Sequence, residues 1–180
     1  MAGTILNLDT ANLFAGDDDP TNSQFLTLNN IKFPALEEKT KAHSPGGGVA
    51  SINVGMRSVN ALSLTFQLAG MNPDVMNKFM PGVGRRTKYT LRGNLNDLQT
   101  QADIPVLAVV NGRMTKSDIG QFDKDNGLNS DYEIQEIVGY QLVINGLEKF
   151  YFDFFAGPRG IRIDGAVVYN TVARNLGLGV

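Results

Sequence analysis

Apolar and polar residues alternate with a period of two along much of the chain. In "NALSLTFQLAG", Leu62, Leu64, Phe66 and Leu68 fall on one side, and Ser63, Thr65 and Gln67 on the other. That spacing predicts a half-buried β-strand. "RRTKYTLRG" sets Thr87, Tyr89 and Leu91 against Lys88, Thr90 and Arg92, and "EKFYFDFF" sets Phe150, Phe152 and Phe154 against Lys149, Tyr151 and Asp153. "QFLTLNNIKF" and "ASINVGMRS" predict weaker strands of the same kind.

Turn chemistry agrees with an antiparallel arrangement. Asn111-Gly112, Asn126-Gly127, Asn145-Gly146 and Asp164-Gly165 accept the positive φ angles of tight hairpin turns. One internal segment, "NPDVMNKFMPG", reads as helical. Pro73 opens it after Asn72, Asp74 lies near its positive end, and Val75, Met76 and Phe79 form an apolar stripe. A second short helix or turn is expected at "NTVARNLGLGV". Many strands with one buried helix predict a mainly β fold, an antiparallel sandwich or barrel with a short helix against it.

Length and composition fit one globular domain with a real core: 180 residues, 42% of them hydrophobic and 19% charged. The net charge of −2 supplies no basic excess, which argues against tight binding to a phosphate backbone. The chain has no cysteine, so disulfides, thiolate catalysis and cysteine zinc sites are excluded. Its start, "MAGTILNLDTANLFAGDDD", does not read as a signal peptide, and no apolar run approaches the roughly 18 residues of a membrane span. The expectation is a soluble protein kept in the cytoplasm unless a larger object carries it out.

Searches for reactive or ligand-holding groups fail one by one. Gly46, Gly47 and Gly48 run into alternating β residues, with neither the Gly-Lys-Ser/Thr of a phosphate loop nor a following helix. "DKDNGLNSDYE" has its glycine one place too early for a calcium loop, so a solvated acidic turn is expected. His43 is the only histidine and G-x-S-x-G is absent. No catalytic residue, cofactor or metal is expected, and the chain does not read as an enzyme.

Two regions together resemble a known family. The C-terminal "GYQLVINGLEKFYFDFFAGPRGIRIDGAVVYNTVARNLGL" resembles the end of the major tail tube proteins of contractile-tailed bacteriophages, at Asn145-Gly146, Asp164-Gly165 and Arg174 through Leu178. "IKFPALEEKTKAHSPGGGVASINVGMRSVNALSLTFQLAGMNPDVMNKF" resembles their charged arm, glycine-rich tip, return strand, "L-x-L-x-F-x-L-x-G" strand and short helix. The resemblance covers most of residues 24–178, leaving 1–23 as an N-terminal extension and 24–180 as a single tail-tube-like domain. It implies a hexameric ring whose sheets join into a β-barrel, stacked into the inner tube of a contractile tail. Sheath, tape-measure and baseplate proteins would be its partners, and DNA would pass through the lumen without specific binding. The implied location is the virion, after assembly in the host bacterial cytoplasm, with no membrane contact. Related tubes occur in type VI secretion systems and phage-tail-like bacteriocins.

Residues 37–57 are then expected to form a hairpin arm that reaches a neighbouring subunit. Glu37, Glu38, Lys39, Lys41 and Arg57 would make intersubunit polar contacts. Gly46, Gly47 and Gly48 would keep the tip mobile until docking. Asp123, Asp125 and Asp131 are candidates, by charge alone, for an acidic lumen. The competing reading is a carbohydrate- or receptor-binding β-sandwich, which would need an exposed aromatic platform. The chain has no Trp, and the phenylalanines are expected on strand faces.

Overall fold

The computed structural model describes residues 4–178 apart from positions 17, 83 and 126. Eleven strands and two short α-helices form among them. They are β1 (Leu6–Ala15), β2 (Leu28–Lys32), β3 (Glu38–His43), β4 (Ile52–Val59), β5 (Leu64–Ala69), α1 (Pro73–Met76), β6 (Thr87–Asp97), β7 (Asp103–Asp118), β8 (Asn129–Ile144), β9 (Leu147–Asp153), β10 (Ile161–Ile163), β11 (Ala166–Val167) and α2 (Asn170–Asn175). The fold is the mainly antiparallel β architecture that the alternation predicts. A 3₁₀ turn at Pro20–Asn22 and an irregular 3₁₀ segment at Phe154–Gly160 complete it.

Nine strands make one sheet in the order β1-β6-β7-β8-β9-β10-β11, with β5 and β2 branching from β8. The branch exists because β7 and β8 are each 16 residues long and bend together. Asn111 pairs with Gly139 and Arg113 with Gln135, so three residues of β8 bulge opposite Gly112. Glu136 in that bulge has φ of 47°. Below the bend, β8 pairs with β5 from Asn129 to Ile134; above it, β8 pairs with β9 from Gly139 to Ile144. Bulges strengthen twist and bend a sheet, and here the two halves fold over a shared core. The path from β1 through β6, β7, β8, β5 and β2 returns to its start, because Ser23 bridges Phe14 and the Gln24 N–H donates to the Leu13 carbonyl at 2.9 Å.

The core follows from the alternation. Leu62, Leu64, Phe66 and Leu68 are all buried, as are Tyr89, Leu91 and Phe150. From the second half come Val110, Met114, Tyr132, Ile134 and Tyr140. Phe66 stacks on Tyr132 with ring centroids 5.0 Å apart, and Tyr140 meets Phe150 at 5.6 Å. Such pairs contribute about 1 kcal/mol beyond their area. Burial pushes the phenols of Tyr89 and Tyr140 up to about 12, so both stay neutral.

Several sequence expectations meet a different structure. Asn111-Gly112 is no turn: both lie inside β7, where a Cβ at position 112 would sit 2.8 Å from Ile134 Cγ2. Close strand approach, and not turn chemistry, requires that glycine. Asn145-Gly146 and Asp164-Gly165 do turn, with φ of 53° and 74°, and 48° and 76°. Asn126 lies outside the described residues, while Gly127 has φ of 74°. Helix α1 is a single turn capped by the Asn72 side chain, and only Val75 is fully buried; Phe79 stays exposed beyond its end. Phe154 is exposed too, because β9 ends one residue earlier. The stretch read as part of an N-terminal extension contains β1, which pairs with β6 from Leu6 to Ala15 and places Leu13 and Ala15 in the core.

Two expectations follow. Leu13→Ala should destabilise the chain by about 3 kcal/mol, and deletion of residues 1–15 should abolish the cooperative thermal transition. A deletion variant that melts like the full chain would restore the extension reading. At the far end of β1, the Thr4 hydroxyl and the Gln99 and Thr100 N–H groups donate to the Asp97 carboxylate, holding its pKa down to about 2. A carboxyl lowered in the folded state stabilises above its unfolded value, near 4, and that contribution is lost as pH falls from about 4 to 2. Acid should therefore free the Leu98 amide, which donates to the Ile5 carbonyl. Hydrogen exchange should detect this in the native chain and find the pH dependence removed in Asp97→Asn.

Candidate assembly surfaces

Strands β3 and β4 stand apart from the main sheet as a two-stranded hairpin. Every residue of β3 and β4 is exposed except half-buried Val59. The registers Lys41↔Val54 and His43↔Ile52 put these side chains on one face, with Met56 continuing the apolar row. Thr40, Ala42, Asn53 and Gly55 make the other, small and neutral face.

The arm residues singled out from sequence divide by role. Glu38 serves the hairpin itself: its Oε1 accepts the Arg57 N–H at 2.9 Å across a bulge where Arg57 has φ of 54°. A Cβ at Gly55 would lie 2.6 Å from that oxygen. Glu37 holds the root, accepting from Asn60 through both its carbonyl and its side chain. Lys39, Lys41 and the Arg57 guanidinium make no ion pair among the described residues. At the tip, the Gly48 N–H donates to the Pro45 carbonyl at 3.0 Å, and a Cβ at Gly48 would collide with the Pro45 ring. Gly46 and Gly47 face open space with ordinary φ. What glycine adds at those two positions is conformational freedom, not fit.

The three candidate lumen acids do not form one cluster. Asp131 lies on β8 and accepts from Gln67 Nε2 across the β5 pair at 2.9 Å. Asp123 and Asp125 sit in the β7–β8 loop, where the Asp125 N–H donates to Asp123 Oδ1 at 2.8 Å. Among the described residues no three His, Cys, Asp or Glu groups come close enough to hold a metal.

A second polar surface went unrecognised. On the main sheet's face turned from the core, cross-strand neighbours run Asn12–Arg92–Leu107–Val143–Glu148 and Val109–Gln141–Tyr151–Arg162, the second row beginning beside the buried Thr90 of β6. Arg162 donates Nε and Nη2 to the two oxygens of Glu148, both at 2.8 Å, and stacks 3.6 Å from the Tyr151 ring. Gln141 donates to the same carboxylate at 3.0 Å. Arg92 forks onto Asp18, and Lys149 meets Asp164 at 2.7 Å. The arginines hold the Glu148 and Asp18 carboxyls below their ordinary range. These cations are thus neutralised within the chain. Alternation marks Arg92 and Tyr151 as outward-facing, but the partners depend on register between strands distant in sequence.

The exposed aromatic pair Phe154 and Phe155 was also missed. Their rings meet edge to face at 86° and 5.5 Å. That geometry presents no flat platform of the kind a sugar ring stacks on.

Among the described residues no helix is long and apolar enough to cross a membrane. Comparison with curated proteins returns no match. Among solved structures, the fold resembles the sheath/tube terminator of an extracellular contractile injection system, PVC, in its extended state. The TM-score is 0.51 at 12% identity, covering 80% of this chain and 99% of that one. The family model of phage tail tube protein FII matches residues 7–177, from the first residues of β1 to beyond α2. With nearly every strand of the sheet inside that match, the chain belongs to the phage tail tube protein FII family and is a structural protein of the tail tube.

Proposed function

We propose that this chain forms hexameric rings that stack into the inner tube of a contractile tail and give the genome a passage. The observation that carries this reading is the main sheet. One face is sealed onto the core, while the other sets charged and polar side chains around Leu107, Val109 and Val143 and neutralises its own cations. A polar face on a well-packed sheet suits a wet channel. Cations already paired with carboxylates leave fewer free charges to exchange counterions with a phosphate backbone. The ring supplies what the edges lack: β1 pairs only with β6 over most of its length, and an open edge invites another strand. Residues 37–57 serve as the intersubunit arm, with Lys39, Lys41 and Arg57 as its free cations and Gly46–Gly48 as the mobile tip. Asp123, Asp125 and Asp131 remain candidates for a lumen or loop contact, secondary to the sheet face.

In this reading the sheath surrounds the tube, a tape-measure protein sets its length, and a baseplate nucleates it in the host cytoplasm. The tube acts by geometry and surface charge, without a catalytic step.

Negative-stain electron microscopy of the concentrated protein should show rings or hollow tubes of uniform width with sixfold end views. Gly46→Pro with Gly47→Pro should leave monomer stability within about 0.5 kcal/mol yet impair tube formation; normal tubes from it would remove the arm's role. If the polar sheet face lines the channel, Asp18→Asn with Glu148→Gln should make tubes retain duplex DNA at low salt and release it as salt rises. Variant tubes that shed DNA as freely as the parent would show that this face does not meet the genome.

A further inference from the structure

The hairpin leaves an unpaid apolar surface. A lone two-stranded hairpin is marginal in water, yet Ile52, Val54 and Met56 stand exposed along one face of β4. Lys41 and His43 share that face by register. Residues 39–57 contain Lys39, Lys41 and Arg57 and no carboxylate. The arm is therefore an apolar row edged by positive charge.

A groove with the opposite character lies at the root of the hairpin. A cavity of about 510 Å³ is lined by Val59, Leu62, Ile137, Phe152, Phe154 and Phe155. A second, of about 460 Å³, continues past Phe154 toward Ile161 and Val172. Phe154 and Phe155 are 65% and 72% exposed. The backbone that carries them is capped where the Phe155 N–H donates to Asp153 Oδ1 at 2.9 Å. Carboxylates stand at the rim: Glu136, Asp153 and, at the hairpin root, Glu37. Two cations line it: Arg86, held by Glu136 at 2.6 Å, and Arg57 at the foot of the chain's own hairpin.

We propose that the hairpin of one copy lays its Ile52–Val54–Met56 face into the Phe154–Phe155 groove of a second copy, with Lys39 and Lys41 meeting the rim carboxylates. This rests on the self-assembly reading and names the acceptor of the arm. The occupant is another copy because the chain's own hairpin meets the groove only at its root, through Arg57, Ser58 and Val59, and its outer apolar row cannot fold back. Val59 lines the groove and Ile52 lies seven residues away along an extended strand, about 23 Å at the strand rise. Bringing that row back would break the pairing with β3. A twenty-residue arm seated in a groove has the size of one side of a stable interface, roughly 800 Å². The contact joins different patches on the two copies, so it repeats from one subunit to the next.

The test uses the absence of cysteine in the chain. Val54→Cys combined with Phe155→Cys should give, on mild oxidation of assembled tubes, a ladder of cross-linked chains, while each single variant gives none. Independently, Phe154→Ser with Phe155→Ser should leave monomer melting unchanged, because both rings are exposed, but raise the concentration needed for assembly at least tenfold. Tubes that form without a ladder, together with a serine pair that assembles like the parent, would overturn the groove as acceptor and leave the tube reading intact. A parent chain that stays monomeric at every concentration and salt would overturn both.

Discussion

The bend shared by β7 and β8 is the constraint on which the rest depends. Two strands of 16 residues cannot remain flat and still enclose a core of this size. The bend needs a residue without a side chain at Gly112, because Ile134 Cγ2 and the Gln135 carbonyl crowd the space a Cβ would fill. It also needs Glu136 in the left-handed region, at a cost of about 1 kcal/mol. From that point β8 changes partner, from β5 to β9. One sheet becomes two halves, and the apolar rows of β5, β6, β7 and β8 face each other.

The same bulge shapes the surface. Glu136 turns outward and holds Arg86, while Ile137 turns inward and forms part of the groove wall. Phe154 and Phe155 close that wall because β9 ends at Asp153, whose carboxylate caps the next turn. The bend that completes the core therefore also creates the concavity beside the hairpin root. Under the proposed docking, the acceptor would be built from core elements and the freedom to adapt left to the hairpin. A lone two-stranded hairpin has little stability of its own, so a docked partner would add to its order.

Charge is distributed with the same division. On the main sheet the cations are closed off by partners in the chain: Arg162 by Glu148, Arg92 by Asp18 and Lys149 by Asp164. On the hairpin Lys39, Lys41 and Arg57 are left open. A near-zero net charge conceals this contrast between a self-neutralised face and a cationic arm. Exposed pairs of this kind add little stability; their consequence is for what the surface attracts.

What the sequence determined by itself is local. Alternation assigned the buried face of β5 correctly, and Tyr89, Leu91 and Phe150 on β6 and β9, because a period of two is set by the pleat within one strand. Thr90 is buried as well, and Phe154 lies past the end of β9, exposed. Asn145-Gly146 and Asp164-Gly165 marked real turns, since their φ preference is intrinsic, and the order of arm, glycine tip, strand and helix carried the family resemblance. The tertiary structure decided whatever depends on pairing between distant segments. Asn111-Gly112 has turn chemistry but sits in a strand, because its neighbours on β6 and β8 outweigh a two-residue preference. Residues 6–15 lack strong alternation, yet β6 offers them an edge and the core a place for Leu13. Glu38, expected in an intersubunit contact, accepts the Arg57 N–H at a bulge of its own hairpin, while Arg162 and Glu148 meet only once β9 and β10 pair. Register across strands is a property of the closed fold, and no single segment carries it.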